Sequence, residues 1–175
     1  VTLRPPSPGD LDALVAILAE PAVAQWWPRY DRVRVEREMV DGVDDDTTVY
    51  VIEVSGAVVG VIQSWEEADV EYRHAGMDIG VATEWHGTGV AVAALRGLAR
   101  HLVADLGHHH LTIDPAASNA RAIRCYEKIG FRPVGVLRQN EMAADGTFRD
   151  TLLMDLVASE LILDDPVAAV IAAPG

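Results

Sequence analysis

The stretch Ile113-Asp-Pro-Ala-Ala-Ser-Asn-Ala-Arg-Ala-Ile-Arg-Cys-Tyr-Glu-Lys-Ile-Gly-Phe131 decides how this chain folds. Just before and into it, His110 to Asp114 reads as a strand that Asp114-Pro115 breaks, because proline has no N–H with which to continue a ladder. Ser118 or Asn119 can cap a helix running to Ile129, and Gly130 ends it. On that helix Asn119, Ile123 and Tyr126 recur at i, i+4 and i+7 and so share one face. An amide at the start of a face and a phenol two turns later can hold an extended ligand and present an acid at its far end.

Upstream stands the glycine-rich turn His86-Gly-Thr-Gly-Val-Ala91. Gly76 to Ala82 before it reads as a strand. After it, from Val90 to Leu106, the residues Val92, Leu95, Leu98, Ala99, Leu102 and Leu106 recur at helical spacing, with Gly107 as the stop. The turn therefore feeds a helix N-terminus, where unpaired N–H groups and the positive end of the dipole gather. Gly87 and Gly89 carry no Cβ to hold a phosphate away. The segment reads as a pyrophosphate cradle; a plain tight turn is the blander reading of the same residues. It is not a P-loop, since no Gly-Lys-Ser/Thr follows, and it lacks the full GxGxxG dinucleotide fingerprint.

The two segments together resemble the acetyl-coenzyme A site of the Gcn5-related N-acetyltransferases (GNAT). That family's pattern is Q/R-x-x-G-x-G/A, then N-x-x-A-x-x-x-Y-x-x-x-G-F in the next helix. The second is complete here in Asn119, Ala122, Tyr126, Gly130 and Phe131; the first reads His86, Gly89 and Ala91, with His86 where the family has Gln or Arg. The resemblance implies an α/β (α+β) GNAT fold over residues 1–158. Its centre would be a mixed, mostly antiparallel sheet of six to seven strands flanked by about four helices, with two splayed parallel strands forming the acetyl-CoA cleft. It implies acetyl-CoA as cosubstrate and no metal, the coenzyme lying against Val81, His86, Gly87, Thr88, Gly89, Val90, Ala91, Asn119, Ala122 and Tyr126. Within the family, Thr2-Leu-Arg-Pro, Gln25-Trp-Trp, Gly60-Val-Ile-Gln-Ser-Trp65, Gly76-Met-Asp78 and Asp114 to Phe131 have counterparts, in the same order, in aminoglycoside 6'-N-acetyltransferases.

Amine acetylation sets three chemical demands. The acceptor must shed a proton, the oxyanion needs donors, and the leaving thiolate benefits from an acid. The resemblance points to Asp78 as the base, acting through water from the strand that leads into the glycine turn; a structural Asp is the alternative. Asp114, at the end of the neighbouring strand, would bind a substrate ammonium or assist Asp78, or else is only an Asp-Pro turn residue. Tyr126 is expected to protonate the thiolate. Backbone N–H groups near Val81, where the strand is expected to bulge, would stabilise the oxyanion. Trp26 and Trp27 resemble a paired aromatic feature at the acceptor end, where aromatic faces attract cations and sugars; a core role for at least one of them is the plainer reading.

Composition agrees. Against 14 basic residues stand 27 acidic ones, a net charge of −13 that argues against nucleic acid or an anionic membrane surface as partner and suits a small cationic amine. Asp41, Asp44, Asp45 and Asp46 form one acidic segment, read as a solvated loop. Glu66, Glu67, Asp69 and Glu71 form another between two strands, where the fold the resemblance implies brings the acceptor in; they would attract a cationic substrate, or else are a second solvated loop. With 175 residues, 50% of them hydrophobic, one domain with a sizeable core is expected. The single cysteine, Cys125, allows neither an internal disulfide nor a cysteine-rich zinc site and is read as packing. The run His108-His-His110 reads as a loop feature rather than a metal site. The absence of a membrane-length apolar run or a signal pattern leads us to expect a cytoplasmic protein, and the family resemblance implies a monomer or homodimer.

The rest of the chain reads as a strand at Thr2 to Pro5 and a helix opened by Pro8-Gly-Asp10, running through Leu18 and ended by Pro21. A helix at Val33 to Val40 follows, then a hairpin of Val49 to Val54 with Ala57 to Trp65. Two last strands are expected at Arg132 to Arg138 and Thr147 to Leu156. Residues 159–175, interrupted by Asp164-Asp165-Pro166, form an extension from the family pattern rather than a domain, either packing or disordered. The function that follows is acetyl transfer to the 6'-amine of an aminoglycoside. A siderophore-type hydroxylysine, polyamine or protein amine acyltransferase, or a non-catalytic coenzyme A-binding module, stands as the alternative. Siderophore enzymes carry Gly-x-His where Gly76-Met-Asp78 stands, and ribosomal acetyltransferases lack the tyrosine.

Overall fold

In the computed structural model, which describes residues 1–42, 46–163 and 169–172, the strand segments pair into a single sheet. Its members are β1 (Thr2–Arg4), β2 (Thr47–Val54), β3 (Ala57–Glu67), β4 (His74–Val81), β5 (His110–Ile113), β6 (Arg132–Met142), β7 (Phe148–Val157) and β8 (Val170–Ile171). They lie in the order β6-β7-β5-β4-β3-β2-β1-β8. The sheet is mixed and mostly antiparallel, as expected, but has eight strands rather than six to seven. The additional strand comes from the C-terminal extension, where Val170 and Ile171 run parallel to Thr2 and Leu3. Asp44 and Asp45 of the first acidic segment, and Asp164, Asp165, Pro166, Val167 and Ala173 of the extension, lie outside the described residues.

Among the described residues five α-helices flank the sheet: α1 (Leu11–Ala19), α2 (Pro21–Ala24), α3 (Arg32–Val35, widening into a π-helical turn over Glu36–Val40), α4 (Val90–Arg100, likewise widening over His101–Asp105) and α5 (Ala120–Glu127). Pro21 ends α1 as expected but also opens α2. The first turn of a helix tolerates proline because its N–H would be unpaired there anyway.

Strand parity sorts the core into two layers. Val51 and Val61 face one way, onto Leu11, Leu14, Leu18, Val35 and Met39 of α1 and α3. Ile52, Ile62, Met77 and Val81 face the other way, onto Leu95, Leu98 and Leu102 of α4. The parallel pair β4 and β5 touches only at Ala75 with Leu111 and Gly76 with Thr112. Beyond those residues the strands part, and the sheet opens a gap joining its two faces.

Candidate active site

The gap holds a cavity of about 840 Å³ whose walls come from both faces of the sheet. On the α4 side stand Gly87, Thr88, Gly89, Ala91, Val92, Asn119, Ala122 and Tyr126; on the α2 side stand Trp26, Trp27, Trp65 and Asp78. A donor entering from one face and an acceptor from the other would meet where the strands part.

The glycine turn explains the first wall. Gly87 and Gly89 adopt φ of +79° and +92°, and nothing lies within 4 Å of where a Cβ would project. This left-handed backbone suits only glycine without strain. Gly89 caps α4, so the unpaired N–H groups of the first turn look into open space large enough for phosphate oxygens. The turn therefore fits the diphosphate of a coenzyme. Val90, expected beside the coenzyme, instead turns its side chain into the core at 7% exposure and offers only its backbone. Thr88 donates its hydroxyl to Trp85 O at 2.7 Å, tightening the turn. His86 is locked between Val81 O (2.8 Å from Nε2) and the Arg121 guanidinium (2.7 Å from Nδ1).

In α5, Asn119 is the cap. Its Oδ1 accepts from Ala122 N–H at 3.2 Å, leaving the amide NH2 for a ligand. Two turns on, Tyr126 is buried, its ring edge-on to Phe131 at 6.0 Å between centroids. Loss of hydration, then the charges of Asp78, Cys125 and Asp114, hold its phenol well above the ordinary value, so it stays protonated and can donate. Cys125 lines the cavity beside it, and burial pushes its thiol up, which makes it a poor nucleophile.

Asp78 projects from β4 opposite Gln63. The residue keeps an exposed surface within the cavity. Lost hydration pushes it up to about 7, with Glu141 and Asp114 adding repulsion and the Ile79 N–H, donating at 2.8 Å, opposing. Asp114 also lines the cavity and is raised in the same direction, chiefly by burial, although Asn140 donates to it at 2.8 Å. Ala82 N–H bonds Val59 O at 2.8 Å, so by alternation Val81 turns its N–H and C=O away from β3, toward the gap. The bulge expected there is absent: β4 stays in register with β3 from His74 to Val81, and the parting of β5 alone exposes the backbone.

At the acceptor end Trp27 is largely core, 4% exposed, with Nε1 donating to Ile79 O at 3.2 Å, whereas Trp26 stands at the cavity wall. Two cavity residues carried no sequence signal. Glu141 and Arg149 form a two-pronged ion pair of 2.8 and 2.7 Å across the β6–β7 hairpin. Arg149 also lies 5.1 Å from the Trp26 ring centre and donates to Gln25 O at 2.8 Å. Trp65 lies flat over Gly76, where any Cβ would come within 2.1 Å of its ring. The expected acceptor residues Glu66, Glu67 and Asp69 do not line the cavity. β3 runs past Trp65 to Glu67 and carries them beyond it, and Glu66 faces the buried His108, 2.7 Å from its Nε2. Among the described residues, no group of three or more His, Cys, Asp or Glu side chains could hold a metal ion, and no helix is long and apolar enough to cross a membrane.

Known proteins share this fold. The family model described as an acetyltransferase (GNAT) domain matches residues 1–132, and the chain belongs to that family of N-acetyltransferases. It is 29% identical over 153 residues to the aminoglycoside N(6')-acetyltransferase type 1 of Klebsiella pneumoniae, covering 78% of this chain and 76% of that one. Its structure is similar to that of aminoglycoside acetyltransferase AAC(6')-Ib in complex with coenzyme A and kanamycin, with a TM-score of 0.74, 27% identity, and 91% and 95% of the two chains covered. A spermidine N-acetyltransferase from Vibrio cholerae, in complex with CoA and spermine, shares the fold at a TM-score of 0.77 and 22% identity, covering 91% of this chain and 96% of that one.

Proposed function

We propose that this acetyltransferase moves the acetyl group of acetyl-CoA directly to the 6'-amine of an aminoglycoside. The observation that carries the reading is that an open glycine turn, a protonated buried phenol and a carboxylate raised to about 7 line one cavity opening to both faces of the sheet. The likeness to two aminoglycoside acetyltransferases supports the choice of acceptor.

In this reading Asp78 takes the ammonium proton through a water, and the freed amine attacks the thioester carbonyl. The new N–C bond forms as the C–S bond breaks. The Val81 N–H faces the oxygen that gathers charge, Tyr126 gives its proton to the departing sulfur, and the second proton shed by the acylated nitrogen returns through water to the Tyr126 phenolate. Asp114 holds a second ammonium of the polycation, and the Trp26 face packs on a sugar ring.

Thiol release from acetyl-CoA tests the reading, with kanamycin, the same aminoglycoside with its 6'-amine blocked, and spermidine as acceptors. Saturable turnover on kanamycin alone is expected. Silence on kanamycin, or equal rates with the blocked compound, overturns the assignment; preference for spermidine moves it to polyamines.

A further inference from the structure

The latch between His86 and Arg121 has a defined chemistry. A guanidinium has donors and no acceptor, so at the 2.7 Å contact His86 Nδ1 must be the acceptor. The ring hydrogen then sits on Nε2 and is donated to Val81 O at 2.8 Å. His86 thus has both ring nitrogens satisfied, tying the end of β4 to the start of α5 and fixing where the Arg121 guanidinium points.

Arg121 does not stand alone. Arg124 and Lys128 follow at i+3 and i+7, on the same face of α5 and its continuation, and all three line the cavity. In a chain with 27 acidic residues to 14 basic ones, none of the three has a carboxylate partner among the described residues. Cations left unpaired amid such an excess of acid, beside the open space over Gly87 and Gly89, face a place for an anion.

We propose that Arg121, positioned by His86, grips the diphosphate of the coenzyme from α5, the contact that a Gln or Arg at position 86 would otherwise offer from the turn. This rests on the coenzyme A reading above. Arg121 is the binding residue and His86 the positioning residue. Arg124 and Lys128 add a favourable field along the same face.

Calorimetric titration of the wild type, Arg121→Ala, His86→Ala and the double variant with coenzyme A and with dephospho-coenzyme A tests it, alongside kcat/KM with acetyl-pantetheine, which carries no phosphate. Arg121→Ala is expected to weaken both coenzymes alike, by roughly 10- to 100-fold, the range for a hydrogen-bonded charge, while acetyl-pantetheine is used as well as before. His86→Ala should lose a similar factor, and the double variant little more, because the two act as one unit. Unchanged affinity in Arg121→Ala overturns the proposal. A loss confined to coenzyme A, which would put Arg121 at the 3'-phosphate, overturns it too, as does a parallel loss with acetyl-pantetheine, which would mean a distorted fold. A wild type that fails to bind coenzyme A at all would instead remove the parent reading.

Discussion

Asp78 is placed where activity and stability pull apart. A base works best with a pKa near the working pH, and the partial burial that lifts Asp78 to about 7 also makes its ionised form costly to the fold. Turnover per bound acceptor should rise with pH through about 7. Asp78→Asn should lower kcat by about 10² or more and leave coenzyme affinity unchanged. The stability effect has the opposite sense. The folded-state pKa lies above the unfolded value of about 4, so the stabilising contribution is full below that pH and is lost as pH rises toward 7. Asp78→Asn should therefore melt higher than the wild type at pH 8 and together with it near pH 4. Thermal melts at the two pH values check this; near-normal turnover in the variant would take Asp78 out of the chemistry. At this scale Asp78 and Tyr126 were legible because motif residues flank them. Glu141 and Arg149 were not, since their partnership depends on a hairpin register, Glu141 opposite Arg149, that local sequence leaves open.

The N-terminal segment shows what holds the acceptor-side layer together. Asp10 accepts from Arg4 at 2.8 and 2.9 Å and from the Ser7 N–H and hydroxyl at 2.7 and 2.8 Å, pinning the entry of α1 to β1. At the far end of α1, Glu20 accepts from the Thr83 N–H at 2.7 Å and from the Thr83 hydroxyl, so the helix also braces the segment leading into the glycine turn. The Arg4 hydrogen bonds, opposed by burial and helped by Ser7, hold the Asp10 carboxyl down to about 2. Its stabilisation is present above about pH 4 and lost as pH falls toward 2. Asp10→Ala should cost about 2–4 kcal/mol at neutral pH, because Arg4 and the Ser7 donors lose a largely buried acceptor. Urea unfolding should show that gap narrowing as pH drops; a pH-independent gap would assign the cost to packing alone. The glycine turn and α5 were readable because caps, stops and i, i+4, i+7 spacing are local signals. The Glu66 cluster misled because one residue of strand parity decides which face a side chain takes, and the length of β3 decides how far it is carried.

Across the whole molecule, a single net charge conceals two fields. Asp78, Asp114 and Glu141 line one part of the cavity, with Arg149 neutralising part of their charge; Arg121, Arg124 and Lys128 line it from α5 and its continuation. That segregation could not be read from a total of −13, because it depends on α5 and the β6–β7 hairpin meeting across β5. Nor could the seating of the C-terminal extension, whose Ile162 N–H bonds Ile129 O at 3.0 Å and whose Ala172 N–H bonds Leu3 O at 2.8 Å, contacts that no local pattern announces. If both fields recruit substrate, ionic strength should act on both. Raising salt from roughly 50 to 500 mM shortens the screening length from about 14 to about 4 Å. The kcat/KM for a polycationic acceptor should then fall several-fold more than for a monoamine. The same salt should raise the KM for acetyl-CoA but leave that for uncharged acetyl-pantetheine almost unmoved. Steady-state kinetics on the four substrate pairs resolves the two effects. Equal salt slopes for polycation and monoamine would mean that the acidic side contributes contacts at close range only, and that the excess of carboxylates serves the protein's surface rather than its choice of substrate.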